Sequence, residues 1–363
     1  MTITKERLEA LLAGVLRSGS SSLHLCAGSS PWIRLTGRVV ATGDEVLSAE
    51  DLEELAAELL FAEQIAELGR GGEIDVVWNA ATGERFRLCG SRHEEGHSFV
   101  FRHVPKRTPD LRECQLPESL AGFAAIESGL IVVAGPPASG KSVTVAAVLE
   151  RLLRERPAHV MTLDRRIELH QTSSTAWIHQ REIGTHVESI AAGVRDAFAS
   201  GVDVLAVGAV ESIDDLRAVL DAAEGGLLVI AAYEASSVVG AIAELSRLAP
   251  LDDRLDVRER LATSLRVVVG QSLVRRRNGL GRVPLLEVLV SNDAAARAIR
   301  RGRPESLHRL MANGAGLGMQ TADMALNDLL RRNLISEEEA TQHARESIRS
   351  SSAASGSPGL RRR

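Results

Sequence analysis

Residues 135–142 read Gly-Pro-Pro-Ala-Ser-Gly-Lys-Ser, which is a complete G-x-x-x-x-G-K-[ST] pattern. The apolar run LIVVA at 130–134 predicts a buried strand before it, and VTVAAVLERLL at 143–153 predicts a helix after it. A glycine-rich loop between a strand and a helix is typical of proteins that bind nucleotide phosphates. The alternative is a glycine turn without a ligand, which this combination of motif and context disfavours. The stretch therefore predicts an α/β domain built around a phosphate-binding loop.

Each part of this loop has a chemical task. Gly135 and Gly140 let the backbone bend so that its N–H groups point inward, and the start of the helix adds the positive end of its dipole. We expect Lys141 to neutralise the β- and γ-phosphates of ATP and Ser142 to offer its hydroxyl to Mg²⁺. The predicted nucleotide site is contiguous and comprises Gly135, Pro136, Pro137, Ala138, Ser139, Gly140, Lys141, Ser142 and Val143.

Lysine is rare in this chain. Only Lys5, Lys106 and Lys141 occur among the 43 basic residues, so the other 40 are arginines. A lysine kept at position 141 fits a need for a compact ammonium charge at the phosphates. The net charge of −5 is too small to indicate a nucleic-acid partner.

Length and composition narrow the class of protein further. With 363 residues, 44% hydrophobic and 25% charged, the chain is neither disordered nor fibrous, and two domains are expected. No apolar stretch reaches the roughly 18 residues of a membrane helix, and the start MTITKERLEA lacks the order of a signal peptide. We therefore expect a cytoplasmic protein without a transmembrane segment. The three cysteines lack metal-ligand spacing and are expected to be buried thiols: Cys26, Cys89 and Cys114.

The pattern changes along the chain and predicts four parts. Residues 1–104 read as a small antiparallel α+β domain, with one strand over 32–42 and one long helix from Ser48 to about Leu68. The proline-containing segment 105–119 is the predicted linker. Residues 120–346 alternate strands with helices, which predicts a parallel sheet with ligands at its carboxyl edge, and become mostly helical after about Pro250. The Ser/Gly-rich tail 347–363 is predicted to be disordered.

Three tryptophans are expected to fill cores: Trp32, Trp78 and Trp177.

Motifs along nearly the whole chain resemble those of the PilT-type twitching-motility ATPases, the pilus-retraction branch of the type II/IV secretion ATPases. Besides the phosphate loop, the matching stretches are SLHL at 22–25, HQREIG at 179–184, AAEGG at 222–226, QSL at 271–273 and GLGMQT at 316–321. The resemblance implies a PAS-like N-terminal domain and a RecA-like P-loop ATPase domain. It also implies a homo-hexamer, or a mixed hexamer with an active paralogue, that works at an inner-membrane pilus or secretion platform protein. The location implied is cytoplasmic and peripheral to the inner membrane.

The chain departs from the family pattern where hydrolysis is concerned. The family's Walker B strand ends in Gly-Glu, but here Gly208 is followed by Ala209. The histidine of the family's G-T-L-H-T box is replaced by Glu234. The acidic box T-I-E-D-P-I-E appears as TLDRRIE at 162–168, and the retraction box at 294–300 reads AAARAIR, with its first half lost.

These departures predict retained ATP binding with weak or absent hydrolysis, because orienting the attacking water demands more than holding phosphates. Asp164, at a strand end, and Glu211 are the predicted substitute acids, and Glu234 is a third candidate. By the resemblance, arginines on the N-terminal strands are candidates to reach a neighbouring subunit's nucleotide: Arg85, Arg87, Arg92 and Arg102.

Three functions stay open from the sequence. The leading one is a hexamer-forming, PilT-like protein that binds ATP and regulates or joins an active motor. The second is an active pilus-retraction motor that uses Asp164 or Glu211 in place of the missing acid. The third is a non-motor scaffold that keeps the fold for protein contacts.

Overall fold

The computed structural model of the protein describes residues 3–35, 37–105, 107–279 and 281–344, in two compact units. The N-terminal unit comprises residues 1–107 together with the short segments 168–170 and 279–281. The C-terminal unit comprises the rest of the chain from residue 108. Lys106 and the tail predicted to be disordered, 347–363, lie outside the described residues.

The N-terminal unit is a six-stranded antiparallel sheet covered by helices, with strand order β3-β2-β1-β6-β5-β4. Its elements are α1 (Lys5–Ser18), β1 (Ser22–Cys26), β2 (Trp32–Leu35), β3 (Arg38–Ala41), α2 (Ala49–Leu59), α3 (Ala62–Gly69), β4 (Ile74–Asn79), β5 (Arg85–His93) and β6 (Gly96–Val104). Buried and partly exposed residues alternate along the first six residues of both β5 and β6. The core therefore lies between one face of the sheet and the helices.

Two predicted elements of this unit are each divided in the structure. The predicted strand over 32–42 is a hairpin, because the chain turns between Leu35 and Arg38 and β2 pairs antiparallel with β3. The predicted helix from Ser48 to Leu68 breaks after α2, where Leu60 and Phe61 are extended. The amide of Phe61 donates to the side chain of Gln64 at 2.9 Å, so a new helix starts with its own side-chain cap.

The C-terminal unit is built on a seven-stranded sheet of order β13-β12-β7-β11-β10-β8-β9, parallel except for β13. Its first half contains β7 (Gly129–Gly135), α4 (Lys141–Glu155), β8 (His159–Asp164), β9 (Trp177–Glu182), α5 (Ile190–Ala199), β10 (Val204–Val207), α6 (Ile213–Glu224), β11 (Leu228–Glu234) and α7 (Val238–Leu248). Its second half contains α8 (Arg254–Ser264), β12 (Leu265–Arg275), β13 (Arg282–Val290), α9 (Asp293–Arg300), α10 (Leu307–Asn313), α11 (Ala322–Arg331) and α12 (Glu337–His343).

Apolar clusters cover both faces of this sheet, so its central strands β7, β10 and β11 are buried along nearly all of their length. This is the burial expected of a parallel sheet with helices on both sides. The carboxyl ends of the parallel strands consequently meet at one edge, where the phosphate loop follows β7.

The expectation of a mostly helical region after Pro250 is wrong in one respect, because residues 265–290 form the long antiparallel pair β12 and β13. The run Val267–Val269 within β12 is β-branched and at most 2% exposed, which favours a buried strand over a helix. None of the helices in the described ranges is both long and apolar enough to cross a membrane.

Two expectations about individual side chains are also wrong. Trp177 is 62% exposed, because β9 is the edge strand of the sheet and Trp177 is its first residue. The three cysteines are half-buried free thiols rather than fully buried ones. Burial nevertheless raises the pKa of Cys114 to about 11, with help from nearby Asp110 and Glu113.

Candidate functional site

The phosphate loop predicted from the sequence connects β7 to α4 in the C-terminal unit. Gly140 has a φ of +88° and Ala138 a φ of +60°, so the loop turns through two left-handed positions before the helix begins. Ala138 adopts this conformation at a cost of roughly 1–2 kcal/mol that a glycine would not incur. Helix α4 begins at Lys141, and no described side chain caps it. The amide groups of its first turn are therefore directed at whatever lies in the loop.

The loop residues fit a bound phosphate group. The hydroxyl of Ser139 is buried in the loop and has no hydrogen-bond partner among the described residues. A Cβ at Gly135 would lie 2.4 Å from both the Ser139 hydroxyl and the carbonyl oxygen of Gln271, so only glycine fits there. A buried hydroxyl without a partner is costly unless a ligand satisfies it. The phosphate loop thus has the close backbone packing at Gly135 and the hydroxyl donor of Ser139 that suit a bound phosphate group.

Lys141 lies folded across the mouth of the loop. Its Nζ donates to the carbonyl oxygens of Gly135 at 2.8 Å and Pro136 at 2.9 Å. Burial lowers the pKa of Lys141, and the negative charge of Glu234 acts in the opposite direction. The ammonium group is therefore held within the loop by neutral carbonyls, which phosphate oxygens can replace at short range. Ser142, the predicted Mg²⁺ ligand, is exposed at the start of α4.

Gln271 holds the loop from the neighbouring strand β12. Its side-chain amide donates to the carbonyl oxygen of Ser139 at 2.8 Å, and its side-chain oxygen accepts from the hydroxyl of Thr144 at 2.6 Å. Gln271 is 5% exposed, so both bonds are shielded from water. The sequence motif QSL at 271–273 marked this position only as a point of resemblance. Its contact with the phosphate loop was not predicted.

The strand ends beside the loop carry the residues that bear on hydrolysis. Glu234 ends β11, which pairs directly with β7. Ala209 follows β10, one strand further from the loop, and the amide of Val210 donates to Ala232 at 3.0 Å. Asp164 ends β8, another strand away. The place where the family pattern has a glutamate is thus occupied by the methyl group of Ala209.

The two predicted substitute acids are placed differently from one another. The Asp164 carboxylate packs against Gly208, because a Cβ built there would lie 2.4 Å from Oδ1 of Asp164. Glu211 forms an ion pair with Arg165, whose Nε lies 3.1 Å from Oε1. Arg165 is one of the two arginines gained in the acidic box. The structure therefore joins Glu211 to an arginine side chain at the surface rather than to the loop.

The four candidate arginines lie on β5 and β6 of the N-terminal unit. Arg87 forms ion pairs with Asp75 at 2.6 Å and with Glu168 at 2.5 Å, and Arg85 donates to the carbonyl oxygen of Glu168 at 3.2 Å. Two others have exposed side chains: Arg92 and Arg102. Arg87 is held within its own unit, so the exposed pair is more available to a neighbouring subunit. A role in a neighbour's site stays a prediction for all four.

Comparisons with known proteins show the family to which the chain is similar. Residues 96–359 match the family model described as type II/IV secretion system protein. The chain is 30% identical over 335 residues to the type IV pilus retraction ATPase PilT of Pseudomonas aeruginosa, covering 92% of this chain and 97% of that protein. It is 29% identical to a twitching motility protein of Neisseria gonorrhoeae, covering 91% of this chain and 87% of that one.

A crystal structure of the pilus retraction motor PilT with bound ADP superposes with a TM-score of 0.79 at 26% identity, covering 93% of this chain and 97% of that one. This similarity confirms the predicted fold class, a RecA-like P-loop domain preceded by a small α+β domain. The match to the family model and the identity to PilT confirm the family resemblance that the sequence motifs indicated.

Proposed function

The chain belongs to the type II/IV secretion system protein family, and from that premise we propose that it is a PilT-like ATP-binding protein with weak or absent ATP hydrolysis. It serves a type IV pilus, a twitching-motility machine or a related secretion system. Membership of this family of ATPases implies nucleotide binding. The finer claim, that binding and hydrolysis are separated, depends on the residues around the loop.

One contrast carries the proposal: the phosphate loop is complete, whereas the end of β10 has no carboxylate. The buried Ser139 hydroxyl, the uncapped start of α4 and Lys141 are suited to hold the phosphates of ATP. Ala209 can neither accept a proton nor orient a water. Removing one such group commonly costs orders of magnitude in rate and much less in ground-state binding.

The metal ion expected with ATP fits the same loop. Ser142 presents an exposed hydroxyl at the start of α4, which is where the P-loop pattern places its Mg²⁺ ligand. When bound, Mg²⁺ spreads the charge of the β- and γ-phosphates. Lys141 and the amides of the first helical turn would hold the same phosphates.

The proposed assembly is a hexamer, formed by this chain alone or mixed with an active paralogue, at an inner-membrane platform protein. The names of the relatives, a pilus retraction ATPase and a twitching motility protein, support a motor context. The exposed arginines Arg92 and Arg102 are available to a neighbouring subunit. In a mixed ring, a subunit that holds ATP and hydrolyses it slowly would stabilise the ATP-bound conformation of the ring. Its active partners would hydrolyse ATP and drive the motor.

The test measures Mg-ATP affinity and steady-state turnover on the purified full chain beside Lys141→Ala and Ala209→Glu. We expect Mg-ATP binding that Lys141→Ala weakens at least tenfold, and slow or undetectable turnover that Ala209→Glu raises. Glu155→Gln is a matched control, since Glu155 is exposed and lies about 21 Å along α4 from Lys141.

Two outcomes would contradict the proposal. Rapid turnover in the wild type, abolished by Lys141→Ala, would indicate an active motor. No detectable Mg-ATP binding would instead indicate a scaffold that keeps the fold for protein contacts.

A further inference from the structure

Glu234 is the carboxylate that the fold places nearest to the phosphate loop among the three considered above. Strand β11 runs directly beside β7, and Glu234 is in register with Gly135, the first residue of the loop. The next amide, that of Ala235, donates to the carbonyl oxygen of Gly135 at 3.3 Å. The backbone of Glu234 is therefore fixed to the start of the loop itself.

The other two carboxylates are less well placed. With strands spaced about 4.8 Å apart, Asp164 at the end of β8 is roughly 14 Å across the sheet from β7, whereas Glu234 is one strand away. Glu211 is held by Arg165. The Glu234 side chain is exposed and forms no ion pair with any residue that the structure describes. It is thus both near and available.

The charge of Glu234 also reaches the residue that would hold the γ-phosphate. Burial lowers the pKa of Lys141, and Glu234 raises it in part by stabilising the protonated form. This effect on Lys141 indicates that the Glu234 carboxylate lies within electrostatic range of the Lys141 ammonium group. A γ-phosphate held by Lys141 would lie within the same range of that carboxylate.

We propose that Glu234 is the catalytic carboxylate of this chain and supplies, from the end of β11, the proton acceptor that the end of β10 lacks at Ala209. The inference rests on the proposed function and predicts slow rather than absent turnover. Strands β10 and β11 are neighbours. A carboxylate at Glu234 therefore lies about one strand spacing, roughly 5 Å, from the family's glutamate position at Ala209.

The reaction assigned to Glu234 is the hydrolysis of ATP. The oxygen of a water molecule forms a bond to the γ-phosphorus while the bond between that phosphorus and the β–γ bridging oxygen breaks. ADP leaves with the electron pair of the broken bond. The Glu234 carboxylate accepts the proton that the water loses and passes it to solvent, so no further reactant is needed. Displacement by one strand from the family's position predicts a slow reaction, because general-base catalysis depends on hydrogen-bond geometry.

The experiment uses the full chain and compares Glu234→Gln with Glu155→Gln, which removes a carboxylate at the far end of α4. Single-turnover and steady-state rates are measured beside the dissociation constants of Mg-ATP and Mg-ADP. We expect Glu234→Gln to lower kcat at least tenfold while both dissociation constants change less than threefold. Ala209→Glu in the Glu234→Gln background should restore turnover, because it returns a carboxylate to the neighbouring strand end.

The outcomes separate this inference from the proposed function. Unchanged or faster turnover in Glu234→Gln overturns the inference and leaves ATP binding intact. Wild-type turnover no higher than that of Lys141→Ala, with normal binding, also overturns it while agreeing with a chain that only binds nucleotide. Absence of Mg-ATP binding in the wild type overturns the proposed function itself.

Discussion

At the scale of single residues, the phosphate loop depends on a side chain far from it in sequence. Gln271 bonds to Ser139 and Thr144, which lie 132 and 127 positions away along the chain. A Cβ at Gly140 would lie 2.9 Å from the Gln271 side-chain nitrogen, so the Gln271 amide packs closely against the loop backbone at Gly140. Gln271 therefore positions the loop before any ligand arrives, which lowers the entropic cost of binding.

Replacing Gln271 by leucine tests this positioning role. The variant leaves the carbonyl of Ser139 and the hydroxyl of Thr144 buried without a partner, at about 1–3 kcal/mol each. We expect the free energy of unfolding to fall by about 2–4 kcal/mol and the dissociation constant of Mg-ATP to rise roughly tenfold. Urea denaturation and isothermal titration calorimetry measure the two effects.

Gln320→Leu is the matched control for this variant. Gln320 is half-buried and donates to the carbonyl of Leu286 at 2.9 Å, on strand β13 rather than on a residue of the phosphate loop. It should cost about 1 kcal/mol of stability and leave Mg-ATP affinity unchanged. Equal losses of affinity in both variants would show that Gln271 acts only through overall stability.

The sequence predicted the loop but not its support, and the reason is distance along the chain. Gly135 through Ser142 are contiguous, and the residue types of Gly135, Gly140, Lys141 and Ser142 reveal their tasks. Nothing local to Gln271 indicates that it ends up beneath Ser139. The pairing of Glu211 with Arg165 was hidden for the same reason, because the two residues are 46 positions apart.

At the scale of elements, helix α7 starts only four residues after Glu234, and its start is held by a neighbouring strand. The amide of Val238 at the helix start donates at 2.9 Å to Glu287 of β13, a carboxylate that is 5% exposed. The Ser237 hydroxyl caps the same turn by accepting from Gly240 at 3.0 Å. Strand β13 thus holds the start of the helix that follows β11.

Glu287→Ala should loosen this attachment. We expect a loss of about 2–3 kcal/mol in the free energy of unfolding, since a buried amide loses a carboxylate partner, and faster hydrogen exchange at the first turn of α7. Glu287→Gln keeps an acceptor at that position and should recover at least half of the loss. Urea denaturation and exchange mass spectrometry are the measurements.

A variant of a surface ion pair shows whether the loss of stability expected for Glu287→Ala is specific to the buried Glu287. Glu259 is 58% exposed and pairs with Arg300 at 2.8 Å, so Glu259→Ala should cost less than about 1 kcal/mol. A comparable loss from Glu259→Ala would remove the case for Glu287 as a special support of α7.

Helices and strands were predicted correctly where the hydrophobic pattern and the length of the segment indicated the same element. They were predicted poorly where tertiary contacts determine the secondary structure. The strand and helix on either side of the phosphate loop were predicted from one apolar run and one helical pattern. The strands β12 and β13 were not, because their apolar runs can be read as buried helix or buried strand until the partner strand is known. At the break between α2 and α3, the side chain of Gln64 caps the second helix, a local contact that the helical pattern does not reveal.

At the scale of the whole molecule, the N-terminal unit has a hydrophobic core of its own. That core includes Leu8, Leu23, Phe86 and Phe99, each at most 1% exposed, and draws all its members from residues 3–101. The clusters of the C-terminal unit begin at Leu111. Separate cores are the usual mark of segments that fold as units.

We therefore expect residues 1–107 to fold alone. The isolated segment should unfold in one cooperative thermal transition, followed by circular dichroism. Phe99→Ala should remove about 3–5 kcal/mol of stability, whereas Val39→Ala, at a position 46% exposed on β3, should change it little. A segment without a cooperative transition would show that its core needs the rest of the chain.

The large sheet of the C-terminal unit has two edges that are protected from self-association in different ways. At the β13 edge, Val288 and Gln320 exchange backbone hydrogen bonds of 2.8 and 2.9 Å, which blocks that stretch from accepting a foreign strand. At the β9 edge, the exposed Trp177 is followed by the charged pair Arg181 and Glu182, and charges of this kind discourage strand addition. Aggregation of this protein at high concentration would accordingly begin along β9, where two gatekeeper charges oppose it.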